Sequence, residues 1–217
     1  MDFVNGDNLA VMRGLSDGEF DLAIVDPPFG IGASSKKAYH AGALTTYTPK
    51  KWDDEPPPAE YFAELRRVSK NKIIWGANYF TAHLPPVKNW IVWDKLQPDG
   101  VSFSMHELAF YSGHGQAKIF RGYNGANRVA NNDAKAQKYL RIHPTQKPVA
   151  LYSWLLQNYA QPGFRILDTH LGSGSIGIAC YARGMELLGI EIDPDYFAGA
   201  MERIQAGAET PLLLAEK

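Results

Sequence analysis

Asp26-Pro27-Pro28-Phe29 places a carboxylate, two residues without N–H donors and an aromatic ring directly after the apolar run Leu22 to Val25. Pro27 restricts Asp26 to extended backbone, and the second proline stiffens the turn further. The Asp26 carboxylate and the Pro27 carbonyl are therefore fixed acceptors, and Phe29 adds a flat apolar face. This set suits a planar ring that carries an exocyclic amine. Such an amine is a poor nucleophile because its lone pair is shared with the ring. Two acceptors that hold its hydrogens favour a pyramidal nitrogen whose lone pair can attack. Stacking of the ring on Phe29 contributes roughly 1–3 kcal/mol.

A second chemical stretch lies far along the chain. Arg165 to Leu167 reads as a buried strand and runs into Asp168-Thr169-His170-Leu171-Gly172-Ser173-Gly174. With Gly177, the glycines fit G-x-G-x-x-G between a strand and a helix, a pattern that lets backbone N–H groups approach a nucleotide-like ligand. The next strand pattern ends at Glu191, where a carboxylate can bind ribose hydroxyls. Asp193 is read as the cap of the helix opened by Pro194. An NAD-dependent oxidoreductase fits this description too. Asp168 favours another donor, since its charge repels a pyrophosphate but suits the ammonium of S-adenosylmethionine. Asp7, at the end of the first strand pattern, has two readings: a contact to the cofactor's adenine amine, or a helix cap.

The elements needed to bring these stretches together can be read from periodicity. Strands are expected at Asp2 to Asn5, Leu22 to Val25, Lys72 to Trp75, Trp90 to Trp93, Glu107 to Tyr111, Arg165 to Leu167 and Leu187 to Ile190. Helices are expected at Asn8 to Leu15, Pro58 to Val68, Pro148 to Tyr159, Ser173 to Arg183 and Pro194 to Ala206, with a short one from Tyr79 to Leu84. The alternation argues for an α/β fold with a mostly parallel sheet. No helix separates Trp93 from Glu107, so those two strands should pair antiparallel. The C-terminal strand–helix–strand–helix unit cannot cover its own strands, so its sheet must continue into the N-terminal half. The order is circularly permuted, with the amine-binding turn preceding the cofactor turn. Ligands of open α/β sheets sit beyond the carboxyl ends of strands where the strand order reverses, and both turns should meet there.

The 217 residues suit a single domain with an ordinary apolar fraction of 45%. No apolar run is long enough to span a bilayer, and Met1 to Ala10 has no apolar signal segment, so a cytoplasmic protein is expected. Cys180 is the only cysteine, and the six histidines lack ligand spacing, so neither a disulfide nor a metal site is expected. Net charge is −1, yet the cations are concentrated. Gly30 to Lys51 holds Lys36, Lys37, Lys50 and Lys51 and no acid. Gly113 to Lys147 holds Lys118, Arg121, Arg128, Lys135, Lys138, Arg141 and Lys147 against Asp133 alone. Two basic segments on an otherwise acidic chain are a footprint for phosphates. A base inside duplex DNA must be flipped out to reach the Asp26 turn, at a cost of a few kcal/mol. The basic stretch Gly30 to Lys51, within the loop 30–58, is the candidate for holding that strand.

On these residues the chain resembles the permuted β class of amino-group DNA methyltransferases. Asp26 to Phe29 matches the catalytic motif, Asp168 to Gly174 the cofactor motif, and Glu191 the ribose-binding acid. His143-Pro144-Thr145-Gln146-Lys147-Pro148 is similar to the family motif leading into the helix before the cofactor strand. The resemblance implies a Rossmann-like, seven-stranded sheet with one reversed strand. It also implies S-adenosylmethionine as cofactor, with contacts from His143, Thr145, Gln146, Lys147, Asp168, His170, Gly172 and Gly174. Asp rather than Ser at position 26 implies adenine N6 over cytosine N4. RNA or protein-glutamine methylation, and DNA binding without catalysis, are the more distant readings. Thr169-His170 departs from the Pro-Phe usual in the family. The segment expected to read the target, 113–142, is short, which implies a short target, help from loop 30–58, or a homodimer. So compact a form resembles solitary bacterial or phage enzymes without a restriction partner.

Overall fold

The computed structural model describes residues 1–33, 50–100, 104–122 and 142–208 in full, and residues 38–40 and 43–45 by backbone alone. In chain order the strands are β1 (Asp2–Asn5), β2 (Phe20–Val25), β3 (Ala38–His40), β4 (Ala43–Thr45), β5 (Ser69–Trp75), β6 (Ile91–Asp94), β7 (His106–Tyr111), β8 (Lys118–Arg121), β9 (Arg165–Asp168) and β10 (Glu186–Glu191). The helices are α1 (Asn8–Arg13), α2 (Ala59–Val68), α3 (Val149–Tyr159), α4 (Ser175–Ala182) and α5 (Pro194–Ala208). Eight strands form one sheet in the order β1-β10-β9-β2-β5-β7-β6-β8, and β3 pairs with β4 in a separate ribbon. Only β7 runs against the rest of the large sheet.

The mixed sheet, its single reversed strand and its permuted order are as the sequence implies. The strand count is eight rather than seven, because Lys118–Arg121 adds to β6 at the edge. Part of the 113–142 stretch is thus sheet rather than insert.

Alternation within buried strands builds two cores. On one face, Leu22 and Ile24 of β2 pack with Ile73, Trp75, Ile166 and the helix residues Leu151, Leu155, Ile176 and Ala200. On the other, Ala23 and Val25 pack with Ile74, Leu167, Ile190 and with Met12, Tyr61, Phe62 and Leu65 of α1 and α2. Covering both faces is what a parallel sheet needs, and it explains why β2 is apolar nearly throughout.

This layering places the site. β2 is followed by α2 on one face and then by β5 on one side of it. β9 is followed by α4 on the other face and then by β10 on the opposite side. The two strands are themselves parallel neighbours, with Ala23 opposite Leu167. Their connections leave in opposite directions, and a crevice opens at the carboxyl edge between the turns that follow the two strands.

Candidate active site

A cavity of about 260 Å³ occupies this crevice. It is lined by Asp26 and Pro28 from the β2 turn, by Thr169 to Ser173 from the β9 turn, and by Glu191 and Ile192 after β10. Asn8, Trp52, Tyr152, His143 and Thr145 to Lys147 complete it. The β2 turn and the glycine-bearing β9 turn, distant in sequence, therefore share one chamber.

The Asp26 turn is held from outside by a residue the motif does not contain. Asp53, 2% exposed, accepts from the N–H groups of Phe29 (2.6 Å), Gly30 (3.0 Å) and Ala33 (2.6 Å). Phe29 lies so close over Gly76 that a Cβ there would be 2.1 Å from its ring, and Gly76 has φ +67°. Any side chain at position 76 would displace the ring and strain the backbone. The Phe29 ring stacks on the half-exposed Tyr79 at 5.0 Å and 13°. The aromatic platform thus has a second member.

Asp26 is one end of a chain of charges. Its Oδ2 is 2.7 Å from Lys147 Nζ, which is also 2.8 Å from Glu107 Oε2. Glu107 Oε1 in turn is 2.6 Å from Lys95 Nζ. Lys147 is 3% exposed, and its ammonium lies 5.4 Å from the Trp75 ring centroid. Burial alone pulls the Lys147 ammonium down, but Asp26 and Glu107 hold it above its ordinary value. Burial pushes the Asp26 carboxyl up, against the pull of Lys147. Glu107 also feels burial, but Lys147 and Lys95 outweigh it and hold the carboxyl at about 2. Among the described residues, Asp26 Oδ1 is buried without a hydrogen-bond partner. Lys147, expected to contact the cofactor, has its ammonium committed to the two acids, because a buried cation needs counter-ions.

The β9 turn is tied down in the same way. Gly172, with φ +52°, donates its N–H to Glu191 Oε2 (2.8 Å), and Asp193 donates its N–H to Glu191 Oε1 (2.9 Å). Each carboxylate oxygen of Glu191 keeps a further lone pair. Burial raises the Glu191 carboxyl, and these N–H groups oppose the shift. His170 packs edge-on against Tyr61, and loss of solvation holds its imidazole down at about 3. Asn8 Nδ2 donates to Thr169 O (3.3 Å) and sits 3.0 Å from His170 Nε2. An amide nitrogen cannot accept, so Nε2 accepts and the imidazole proton is on Nδ1, 3.0 Å from Thr169 Oγ1. Tyr61 OH closes this network at 2.7 Å from Thr169 Oγ1. The Thr169-His170 departure is thus a neutral hydrogen-bonded strut.

Several expected site residues lie elsewhere. Asp7 is a helix cap, its Oδ1 accepting the Ala10 N–H at 2.8 Å, and its neighbour Asn8 faces the cavity. Asp168 is 1% exposed beneath the turn and does not line the cavity, since its Oδ1 accepts the His170 N–H at 3.0 Å. Gly174 packs on α5, where a Cβ would be 2.9 Å from Ile204 Cδ1. His143 and Thr145 do line the cavity, and Thr145 Oγ1 is 3.1 Å from His143 Nδ1. Gln146 lines it as well, with its Oε1 accepting from Ile142 N–H at 3.1 Å.

Of the expected phosphate contacts, Lys50 is instead paired with Asp193 (2.5 Å) and Asp195 (2.9 Å) and lies 4.5 Å from the Tyr196 ring centroid. Lys118 is at the amino end of β8, away from the crevice, and donates to Asn158 Oδ1 at 2.7 Å. Arg121 is at the carboxyl end, mostly exposed, 3.6 Å from Asp94. Lys51 is exposed beside Trp52. Lys36, Lys37, Arg128, Lys135, Lys138 and Arg141 lie outside the described residues. No helix of the described residues is long and apolar enough to cross a membrane, and they contain no cluster fit to hold a metal ion.

Burial pushes the Asp168 carboxyl up to about 8, and the nearby Asp26 charge adds to the shift. A folded-state value above the unfolded one contributes stability that is present at acid pH and lost as pH rises through the folded value. Asp168→Asn keeps an acceptor for the His170 N–H but cannot ionise. Its stability should fall less than the wild type's between about pH 5 and about pH 9. Denaturant unfolding at both limits checks this, and parallel pH dependences would contradict the burial argument.

A family model described as DNA methylase matches residues 85–202, more than half of the chain. The chain belongs to this family of N6/N4 DNA methylases. It is 24% identical to the Escherichia coli (strain K12) DNA adenine methyltransferase YhdJ, over 94% of this chain and 83% of YhdJ. Among solved structures, the fold is similar to M1.HpyAVI in complex with SAM, with a TM-score of 0.59, 18% identity, and coverage of 94% and 98% of the two chains. It is also similar to the cytosine-N4-specific PvuII DNA methyltransferase, with a TM-score of 0.63, 14% identity, and coverage of 99% and 93%. A DNA amino-methyltransferase is thus the activity class, with either base open.

Proposed function

We propose that the protein moves a methyl group from S-adenosylmethionine to the N6 amine of an adenine flipped out of DNA. The observation that carries this reading is Asp26: a carboxylate with one buried, unpartnered oxygen among the described residues, lining the same chamber as the Gly172 turn and Glu191. The chamber's donors and walls suit the cofactor. Glu191 has lone pairs for sugar hydroxyls, the Leu171 to Ser173 turn offers backbone at close range, and Trp52, His143, Leu171 and Ile192 form flat or apolar walls for an adenine. When bound, S-adenosylmethionine supplies an electrophilic methyl group on a positively charged sulfur.

The chain's own residues handle the amine. Asp26 Oδ1 accepts one of its hydrogens and the Pro27 carbonyl the other, while Phe29 and Tyr79 form the stacking platform. As the nitrogen gains its fourth bond it becomes positive, and the Asp26 charge stabilises it before taking up the surplus proton. Orientation and charge placement supply the rate gain, with no covalent enzyme intermediate. Because Asp26 must be ionised, activity falls as pH drops through its raised value. Lys51 and Arg121 contact phosphates at the rim, within a single domain whose loop 30–58 faces the DNA.

Adenine is preferred on the Asp in the catalytic motif and on the likeness to YhdJ. The test is incubation with labelled S-adenosylmethionine and unmethylated duplex DNA, followed by nucleoside digestion. N6-methyladenine is expected. N4-methylcytosine alone would move the protein to the other base, and label in RNA or protein but not in DNA would overturn the substrate.

A further inference from the structure

We infer that Glu107 and Lys95 are positioning residues for the Asp26 carboxylate, acting through Lys147. This inference rests on the methyl-transfer reading above and goes beyond it, to residues that do not touch the base.

The geometry is an alternating row of charges: Asp26, Lys147, Glu107, Lys95, with N–O separations of 2.7, 2.8 and 2.6 Å. All four side chains are largely enclosed, with exposures of 14%, 3%, 21% and 12%. A lone Asp26–Lys147 pair would neutralise the carboxylate that has to hold the amine and accept its proton. Glu107 draws the same ammonium from the far side, so Lys147 is shared and Asp26 keeps more of its charge. Lys95 fixes Glu107 from the outside and limits how far that sharing goes. The row comes from three places: the β2 turn, the segment before α3, and the β6–β7 connection with the start of β7. It spans the crevice from the Asp26 turn to the antiparallel part of the sheet. The other titratable groups near Asp26 are Asp168 at the end of β9, Tyr61 on α2 and Tyr152 on α3, and both tyrosines are held neutral by burial.

Two substitutions read the row in opposite directions. In Glu107→Gln the shape stays but the negative charge is lost, so Lys147 leans on Asp26 alone and lowers its proton affinity. The acid limb of the pH–rate profile should move to lower pH, with the plateau rate down roughly tenfold or more. In Lys95→Met the Glu107 charge is less compensated and weighs more on Asp26, so the acid limb should move to higher pH. The measurement is single-turnover methylation of unmethylated duplex DNA across pH, with S-adenosylmethionine affinity determined in parallel.

Opposite displacements with cofactor affinity within about twofold support the row. Unmoved limbs, or limbs that move the same way, overturn it. If Glu107→Gln does not fold, Lys95→Met carries the test alone by the sign of its shift. A wild type that methylates no DNA overturns the proposed function. A methylating wild type whose variants share its profile overturns only this inference.

Discussion

Asp26→Ala should abolish methyl transfer while S-adenosylmethionine still binds, and Asp26→Asn should lower the single-turnover rate roughly a hundred- to a thousandfold. The two substitutions remove different things. Alanine takes away the acceptor, the charge and the proton-accepting oxygen together. Asparagine keeps an oxygen in place but cannot balance the charge that grows on the amine nitrogen, nor take its proton. Cofactor binding should survive because the turn after β9 and Glu191 are braced by each other, through the Gly172 and Asp193 N–H groups, and not by Asp26. The fold should survive as well, since Lys147 retains Glu107 as its counter-ion. Titration calorimetry with S-adenosylmethionine, alongside single-turnover kinetics on DNA, separates the outcomes. Retained turnover in Asp26→Ala would remove Asp26 from the mechanism. Loss of cofactor affinity equal to the loss of rate would make its role structural.

The meeting of the two turns was legible because parallel strands covered on both faces read as continuous apolar runs, and each run here ends in a carboxylate followed by a turn. What stayed hidden obeys other physics. The rule that functional residues follow strand ends fails for β7, the one reversed strand. Its first residues lie at the carboxyl edge of its neighbours, so Glu107, opposite Trp93, enters the crevice from the beginning of a strand. Asp53 acts through three backbone N–H groups from within a loop and has no motif to mark it. At the first helix Asp7 takes the capping one of its two readings, and it is the neighbouring Asn8, unmarked by any motif, that turns to the cavity. The glycine pattern was only half a ligand signal, since Gly172 opens onto the chamber whereas Gly174 lets α5 approach. Cation counting failed at Lys50 and Lys147 for one reason, that the acids pairing with them are distant in sequence. Asp193 and Asp195 are more than a hundred residues from Lys50, and only the fold brings them together.

Lys147→Met should destabilise the protein by about 3–5 kcal/mol at neutral pH, more than any other change in the site, and should abolish turnover as well. The methionine fills similar space against Trp75 and Phe29, so lost packing is a minor part of the effect. The larger part is electrostatic. Without the ammonium, Asp26 and Glu107 face one another across a largely closed chamber, and among the described residues no other cation pairs with Asp26. Burial already pushes Asp26 up, and removing Lys147 takes away the main opposing pull. A carboxyl raised further in the folded state gives up stability as pH increases through its folded value and regains it as pH falls. The deficit of Lys147→Met relative to the wild type should therefore shrink between about pH 7 and about pH 5. Denaturant unfolding of both proteins at the two pH values decides the matter. A deficit that is constant with pH would mean that the loss lies in packing, and that the ammonium is not what keeps the Asp26 carboxylate ionised.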